Sequence, residues 1–256
     1  MGCRTARQAL PGTAAVSLSF LSLIDLASVR FGVTTDTYDA SGTTTSEHGG
    51  APTREALERA VERFVGTFDQ APPAYSAKMV DGERAYALAR AGRAVAPPPA
   101  TVTAHELAIV SFEGTRAALR IRCSAGFYVR SLAHDLGQTL GCGAILEGLV
   151  RTQAAGFVID GAMSLETLMT SPRDAVRAAV RPMETLLTDV PAVNLTRDGV
   201  DWARHGRELP PRILAGPPPG TAPLVRLLSP EGRLVGLAEP AKTPGFLHPA
   251  VIFSYN

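Results

Sequence analysis

The stretch Cys123-Ser-Ala-Gly-Phe-Tyr-Val-Arg130-Ser-Leu-Ala-His-Asp135-Leu-Gly137, followed by Leu140-Gly-Cys-Gly-Ala144, decides how the rest of the chain is read. Just ahead of it, Leu119, Ile121 and Cys123 alternate with Arg120 and Arg122, the pattern of a half-buried strand with a basic outer face. Ser131 to Leu140 reads as a helix interrupted near Gly137. Tyr128 and Arg130 therefore fall where a strand gives way to a helix. Side chains at i and i+2 of a strand share a face, which predicts that both point into one cleft. A phenol ring and a guanidinium together suit the stacking of a flat ring and the balancing of a negative charge. No carboxylate in a recognisable context precedes the pair.

Working outward, Thr101 to Phe112 and Ala117 to Ser124 read as two strands joined at Glu113-Gly114. Upstream, Val29 to Val33 reads as the end of a strand and Thr34 to Gly42 as a polar turn. Thr53 to Phe64 places Ala56, Leu57, Ala60, Val61 and Phe64 on one helical stripe. Thr53 is its N-cap, with Glu55 and Glu58 near the positive end of the helix dipole. Pro72-Pro73 breaks the chain before Tyr75, and Glu83 to Ala91 reads as a short helix. Downstream, Ala144 to Val150 reads as a further helical turn, and Leu165 to Leu187 as helix with a break at Ser171-Pro172. From Val190 the texture changes to short strands: Val193 to Leu195, a hairpin turning at Ser229-Pro-Glu-Gly232, and a last strand from Ala250 to Phe253.

The chain has 256 residues, enough for one large domain or a large and a small one. With 45% hydrophobic and 19% charged residues it can bury a core and is not disordered by composition. A net charge of +1 argues neither for nor against nucleic acid. Lys78 and Lys242 are the only lysines, so nearly all basic residues are arginine; a GC-rich genome explains that bias better than phosphate recognition does. Cys3, Cys123 and Cys142 show no CxxC spacing, which argues against a disulfide framework or structural zinc and fits a reducing cytoplasm. The five histidines are scattered without metal-ligand spacing. Arg4 and Arg7 precede a small and apolar run from Ala14 to Leu26, as in a secretory signal. That run is too short to span a membrane and contains Asp25. Residue six is alanine, against an N-terminal lipid anchor. A cytoplasmic protein without membrane attachment is expected.

In order along the chain, Arg30-Phe-Gly-Val-Thr-Thr-Asp-Thr-Tyr-Asp-Ala-Ser-Gly42, Ala74-Tyr-Ser-Ala-Lys78, Gly82 to Gly92, Cys123 to Gly137, and Leu140 to Ala144 with Leu149 and Arg151 resemble the bacterial tRNA pseudouridine synthase B family. Residues 30 to 170 follow that family's order and spacing. The resemblance implies an α+β fold: a mixed, mainly antiparallel sheet with flanking helices, plus a small β-rich module. It implies three segments: 1–28 unmatched, 29–188 a catalytic domain incomplete at its N-terminus, and 189–256 an RNA-binding-like module. It also implies isomerisation of the T-arm loop uridine of tRNA to pseudouridine, with no metal or organic cofactor, and a monomer with tRNA as its partner.

By the same resemblance Tyr128 lies against the target uracil, Arg130 pairs with the nucleophilic aspartate, and Leu149 forms an apolar wall. Extruding a uridine costs a few kcal/mol, and aromatic stacking returns about 1–3 kcal/mol per base. Taken alone, a tyrosine at Tyr128 is more often a packing residue, and Arg130 reads as well as a surface residue at a helix start. Tyr75, Lys78, Arg84 and Arg90 fall in the segment that grips the T-arm in that family, with an ordinary solvated helix face as the alternative. Asp36 and Asp39 sit in a turn near the pocket, where capping or Asx-turn roles serve equally well.

The match breaks upstream. The family's nucleophile stands in a Gly-Thr-Leu-Asp-Pro-like turn that this sequence lacks, and the family's tyrosine before Arg30 is replaced by the Leu23-Ile-Asp-Leu-Ala-Ser28 context. Asp25 is the only acid in the first 30 residues, in surroundings unlike a catalytic turn. A truncated or frame-shifted start is expected rather than a shortened relative that binds tRNA without isomerising it. On either account the chain itself is expected to be weakly active or inactive.

Overall fold

A computed structural model describes residues 22–253, apart from 94, 95, 186, 217–219 and 221. The signal-like run up to residue 21, Cys3, and Pro217-Pro218-Pro219 lie outside the described residues. The chain divides after Ala162 into two compact bodies.

The first body begins with strand β1 (Leu23–Phe31), β2 (Val33–Thr35) and β3 (Thr44–Glu47), followed by helix α1 (Arg54–Glu62) and β4 (Gly66–Gln70). A small hairpin of β5 (Met79–Val80) and β6 (Glu83–Arg84) leads into α2 (Ala85–Arg90). Then come β7 (Ala100–Glu113), β8 (Arg116–Cys123), α3 (Val129–Thr139), β9 (Ala144–Ala154) and β10 (Phe157–Val158). Six of these strands form one sheet in the order β10-β9-β1-β8-β7-β4, every neighbouring pair antiparallel. Helices α1 and α3 share one buried cluster with the sheet: Leu57, Ala60 and Val61 from α1, Leu132, Ala133 and Leu136 from α3, Val29 and Phe31 from β1, Leu119 and Ile121 from β8. Each fully buried leucine contributes roughly 1.5–3 kcal/mol relative to exposure.

The α1 expectation holds in detail: the Thr53 side chain accepts a hydrogen bond from the Ala56 N–H and caps the helix. The strand end expected at Val29 to Val33 falls at the end of β1, which starts at Leu23 and pairs along its length with both β8 and β9. Its inward positions are Asp25, Ala27, Val29 and Phe31, so one acid on the core face hides the alternation. Two expectations are corrected. Helix α3 runs through Gly137 without interruption. The glycine is there for space, since a Cβ on it would collide with the backbone nitrogen of Ala144. Ala144 to Val150 is not a helical turn but the start of β9, because a short apolar run reads either way until a partner strand settles it.

The second body contains α4 (Leu165–Thr170), α5 (Arg173–Ala179), β11 (Ala192–Asn194), α6 (Arg197–Arg204), β12 (Val225–Leu228), β13 (Leu234–Pro240) and β14 (Leu247–Ile252). Its sheet runs β11-β12-β13-β14, with β11 parallel to β12 and the other pairs antiparallel. Here lies the mixed pairing of this α+β chain. Val193, Leu195, Ala203, Leu209, Val225 and Leu227 belong to its core. The expected helix break at Ser171-Pro172 separates α4 from α5.

Candidate active site

Strand β8 ends at Cys123, and Tyr128 is the N-cap of α3, with extended backbone at φ −103° and ψ 104°. Arg130 already belongs to the first helical turn. The two side chains are therefore not strand neighbours as expected; they converge because an extended cap residue feeds directly into a helix. Gln70, buried at the end of β4, fixes this junction. Its side-chain oxygen accepts from the Tyr128 N–H at 2.8 Å and its amide donates to the Tyr128 carbonyl at 3.0 Å. Ser131 adds a hydrogen bond from its hydroxyl to the Ala71 carbonyl at 2.7 Å.

Tyr128, Arg130 and Leu149 line one open pocket of about 340 Å³, together with Asp39, Phe127, Val129, Leu146 and Arg151. Leu149 is 45% exposed, so it is a wall facing space and not a core residue. Arg130 donates through Nη1 to the Asp39 carboxylate at 3.1 Å and to the Thr37 carbonyl at 3.3 Å, and through Nη2 to the Tyr75 carbonyl at 2.9 Å.

Asp39 is thus the carboxylate partner of Arg130 in this chain, and it is also the turn residue the sequence allowed. Its Oδ1 accepts from the Thr37 hydroxyl at 2.8 Å and from the Ser41 N–H and hydroxyl at 3.1 and 2.5 Å. Burial alone would raise its pKa; the bonds from Ser41 and Thr37 and the charge of Arg130 outweigh that and hold the carboxyl below its ordinary range. Tyr38, just before it, has φ 63° and stacks on His134 with ring centroids 3.8 Å apart. Burial lowers the His134 pKa and raises that of the neighbouring Asp135.

A second charged pair sits beside the pocket. Arg151 donates through Nε to Asp25 Oδ1 at 2.9 Å and through Nη2 to Oδ2 at 3.1 Å, a bidentate bond to a fully buried carboxylate. Cys123 is buried nearby, and burial together with the Asp25 charge pushes its thiol up to about 12.

The remaining predicted residues divide. Tyr75 touches the site through its carbonyl on Arg130. Asp36 closes the 36–43 turn by accepting from the Thr43 N–H at 2.8 Å and does not line the pocket. Lys78, Arg84 and Arg90 sit around the β5–β6 hairpin and α2. Arg84 donates to the Ala77 carbonyl at 2.9 Å, and Arg90 lies 5.6 Å over the Tyr86 ring. Gln70, Asp39 and Arg151 were not given site roles from sequence, although Asp39 falls in the turn placed near the pocket and Arg151 in the motif that carries Leu149; nothing local marks Gln70. Among the described residues no group of three or more His, Cys, Asp or Glu side chains could hold a metal ion.

Residues 26–129 match the TruB family pseudouridylate synthase N-terminal domain, and residues 130–188 match the tRNA pseudouridylate synthase B C-terminal domain. The chain belongs to the TruB family. A tRNA pseudouridine synthase B of Solibacter usitatus (strain Ellin6076) is 41% identical over 226 residues, covering 88% of this chain and 76% of the relative. One from Azoarcus sp. (strain BH72) is 42% identical over 183 residues, covering 72% of this chain; the match spans 61% of that relative's length. In shape the chain is similar to a chain in the crystal structure of a Cbf5-Nop10-Gar1 complex, with TM-score 0.61 and 22% identity over 91% of this chain and 66% of that one. That likeness extends the family assignment to the fold.

Proposed function

We propose that this TruB-family chain recognises the T-arm loop uridine of tRNA in the Tyr128–Arg130–Leu149 pocket. Its reaction class is isomerisation of that uridine to pseudouridine, with little or no turnover by the chain itself. The convergence of those three side chains on one open pocket carries the reading. A ring, an apolar wall and a cation suit an extruded pyrimidine, which must leave its stack before it can be turned and rejoined through C5. Tyr75, Lys78, Arg84 and Arg90 supply the adjoining RNA contacts, with Asp36 shaping the loop beside them. Residues 189–256 act as a small RNA-binding module, and residues 29–188 carry the catalytic role. The expected setting is the cytoplasm, with tRNA as the partner of a monomer.

Low turnover follows from the state of the acids. The reaction needs a carboxylate free to attack the nucleoside. Asp39 pairs with Arg130, as the family's nucleophile is expected to, but its other oxygen is tied into its own turn by Thr37 and Ser41. Asp25 is sealed, with both oxygens on Arg151. No Gly-Thr-Leu-Asp-Pro-like turn occurs in the sequence. Incubation with unmodified tRNA is expected to yield no pseudouridine at the T-loop position; product in excess over protein would overturn that. Filter binding is expected to show salt-sensitive preference for tRNA over random RNA of equal length. This second measurement tests the alternative reading, a tRNA-binding or tRNA-folding protein without catalysis, which the engaged carboxylates favour.

A further inference from the structure

The two guanidiniums of the pocket are held in opposite ways. Arg130 spends both of its terminal nitrogens on Asp39, Thr37 and Tyr75. Arg151 commits one edge, Nε and Nη2, to Asp25, while its Nη1 bonds to no described residue. The Arg151 side chain is 48% exposed and lines the pocket beside Tyr128 and Leu149, whereas the Asp25 side chain is 0% exposed. The backbone arranges this meeting. β1 and β9 slip register between Ile24 and Asp25, so that Ile24 faces Gln153 but Asp25 faces Arg151. The extra residue, Thr152, donates its hydroxyl to the Ile24 carbonyl at 3.1 Å. A bulge of this kind re-aims a side chain, here the arginine at the pocket.

We propose that Arg151 is a specificity-determining residue that donates its free Nη1 edge to a carbonyl oxygen of the extruded pyrimidine, and that buried Asp25 is the positioning residue that fixes that edge. The inference rests on the reading of the pocket as a uridine site. The chemistry selects the acceptor. The Arg151–Asp25 pair as a whole carries almost no net charge, so it draws a phosphate less strongly than an unpaired cation would. The guanidinium keeps two N–H donors in a fixed plane, which suits the in-plane lone pairs of a base carbonyl. Asp25 cannot touch RNA itself, being closed to solvent, and acts only through the arginine.

The test uses the full chain and two T-arm hairpins identical except at the target position, one with uridine and one abasic. The wild-type protein is expected to prefer the uridine hairpin. Removing Arg151 alone would strand a buried carboxylate, so the informative variant replaces both partners by apolar residues, Asp25→Leu with Arg151→Met, a swap that buried ion pairs commonly tolerate. That variant is expected to lose roughly 10–100-fold of the uridine preference, with affinity for the abasic hairpin unchanged. Asp25→Asn, which keeps the arginine but loosens it, is expected to lose part of the same preference and again leave abasic binding intact. Equal weakening toward both hairpins would mean a backbone or purely structural role, and an unchanged preference would mean that Arg151 does not read the base. Either result overturns the proposal while leaving the uridine pocket standing. A wild-type chain that binds neither hairpin better than random RNA overturns the pocket reading itself.

Discussion

Helices α3 and α4 make an instructive pair, since both are short and both carry spaced apolar residues. Helix α3 buries Val129, Leu132, Ala133 and Leu136 against the first sheet. Helix α4, and α5 after it, bury nothing; Leu165 and Met169 are 73% and 77% exposed. What shapes α4 is local: the Ser164 hydroxyl caps it through the Thr167 N–H. A helix of that length is marginal without packing. The residues that hold the site rigid hang from the packed kind, because Tyr128 caps α3 and Arg130 lies in its first turn. Apolar spacing in a sequence thus says that a helix can pack, not that it does.

Substitutions in the two helices should separate them sharply. Leu132→Ala, at a position 1% exposed, is expected to lower unfolding free energy by about 2–5 kcal/mol in a denaturant titration. Next in size is Asp39→Asn, which removes the charged partner of Arg130 and is expected to cost roughly 1.5–3 kcal/mol at neutral pH. The folded pKa of Asp39 lies below its ordinary value, so its contribution is present above the ordinary carboxylate range and is lost as pH falls through it. Stability curves of the variant and the wild type should therefore converge in acid.

A smaller effect is expected from His134, whose burial lowers its pKa. The unfolded chain takes up that proton first, so the contribution is full above the unfolded histidine pKa of about 6.5 and falls away below it. Melting temperature should drop more steeply between neutrality and mild acid for the wild type than for His134→Phe, which keeps a ring for Tyr38 to stack on. The smallest effect belongs to α4: Leu168→Ala, at a 42% exposed position, should stay within about 0.5 kcal/mol in the same titration. A loss there as large as that of Leu132→Ala would erase the contrast.

Much of this was legible from sequence where the signal is local. Thr53 capping α1, the β7–β8 hairpin around Gly114, and the break at Ser171-Pro172 all depend on neighbours in the chain. Tyr128, Arg130 and Leu149 were legible as a set because motifs in order imply a shared pocket, although the geometry that unites them is a helix cap and not a strand. Long-range partners stayed hidden. Gln70 reaches the Tyr128 backbone across 58 residues, and nothing in its own surroundings announces that. Asp25 misled in a different manner: a charge at an inward strand position reads as a break in the pattern until Arg151, far along the chain, neutralises it. Strand β9 was misread because an apolar run shows its type only through the strand it joins.

Gly137 lies two helical turns beyond Arg130, and Ala144, against which it rests, begins the strand that carries Leu149 and Arg151. The two walls of the pocket are therefore clamped at a distance by bare backbone touching backbone. One methyl group introduced at that contact would act as a wedge, spreading the wall that carries Arg130 from the wall that carries Leu149 and Arg151 without altering a single group that faces the opening.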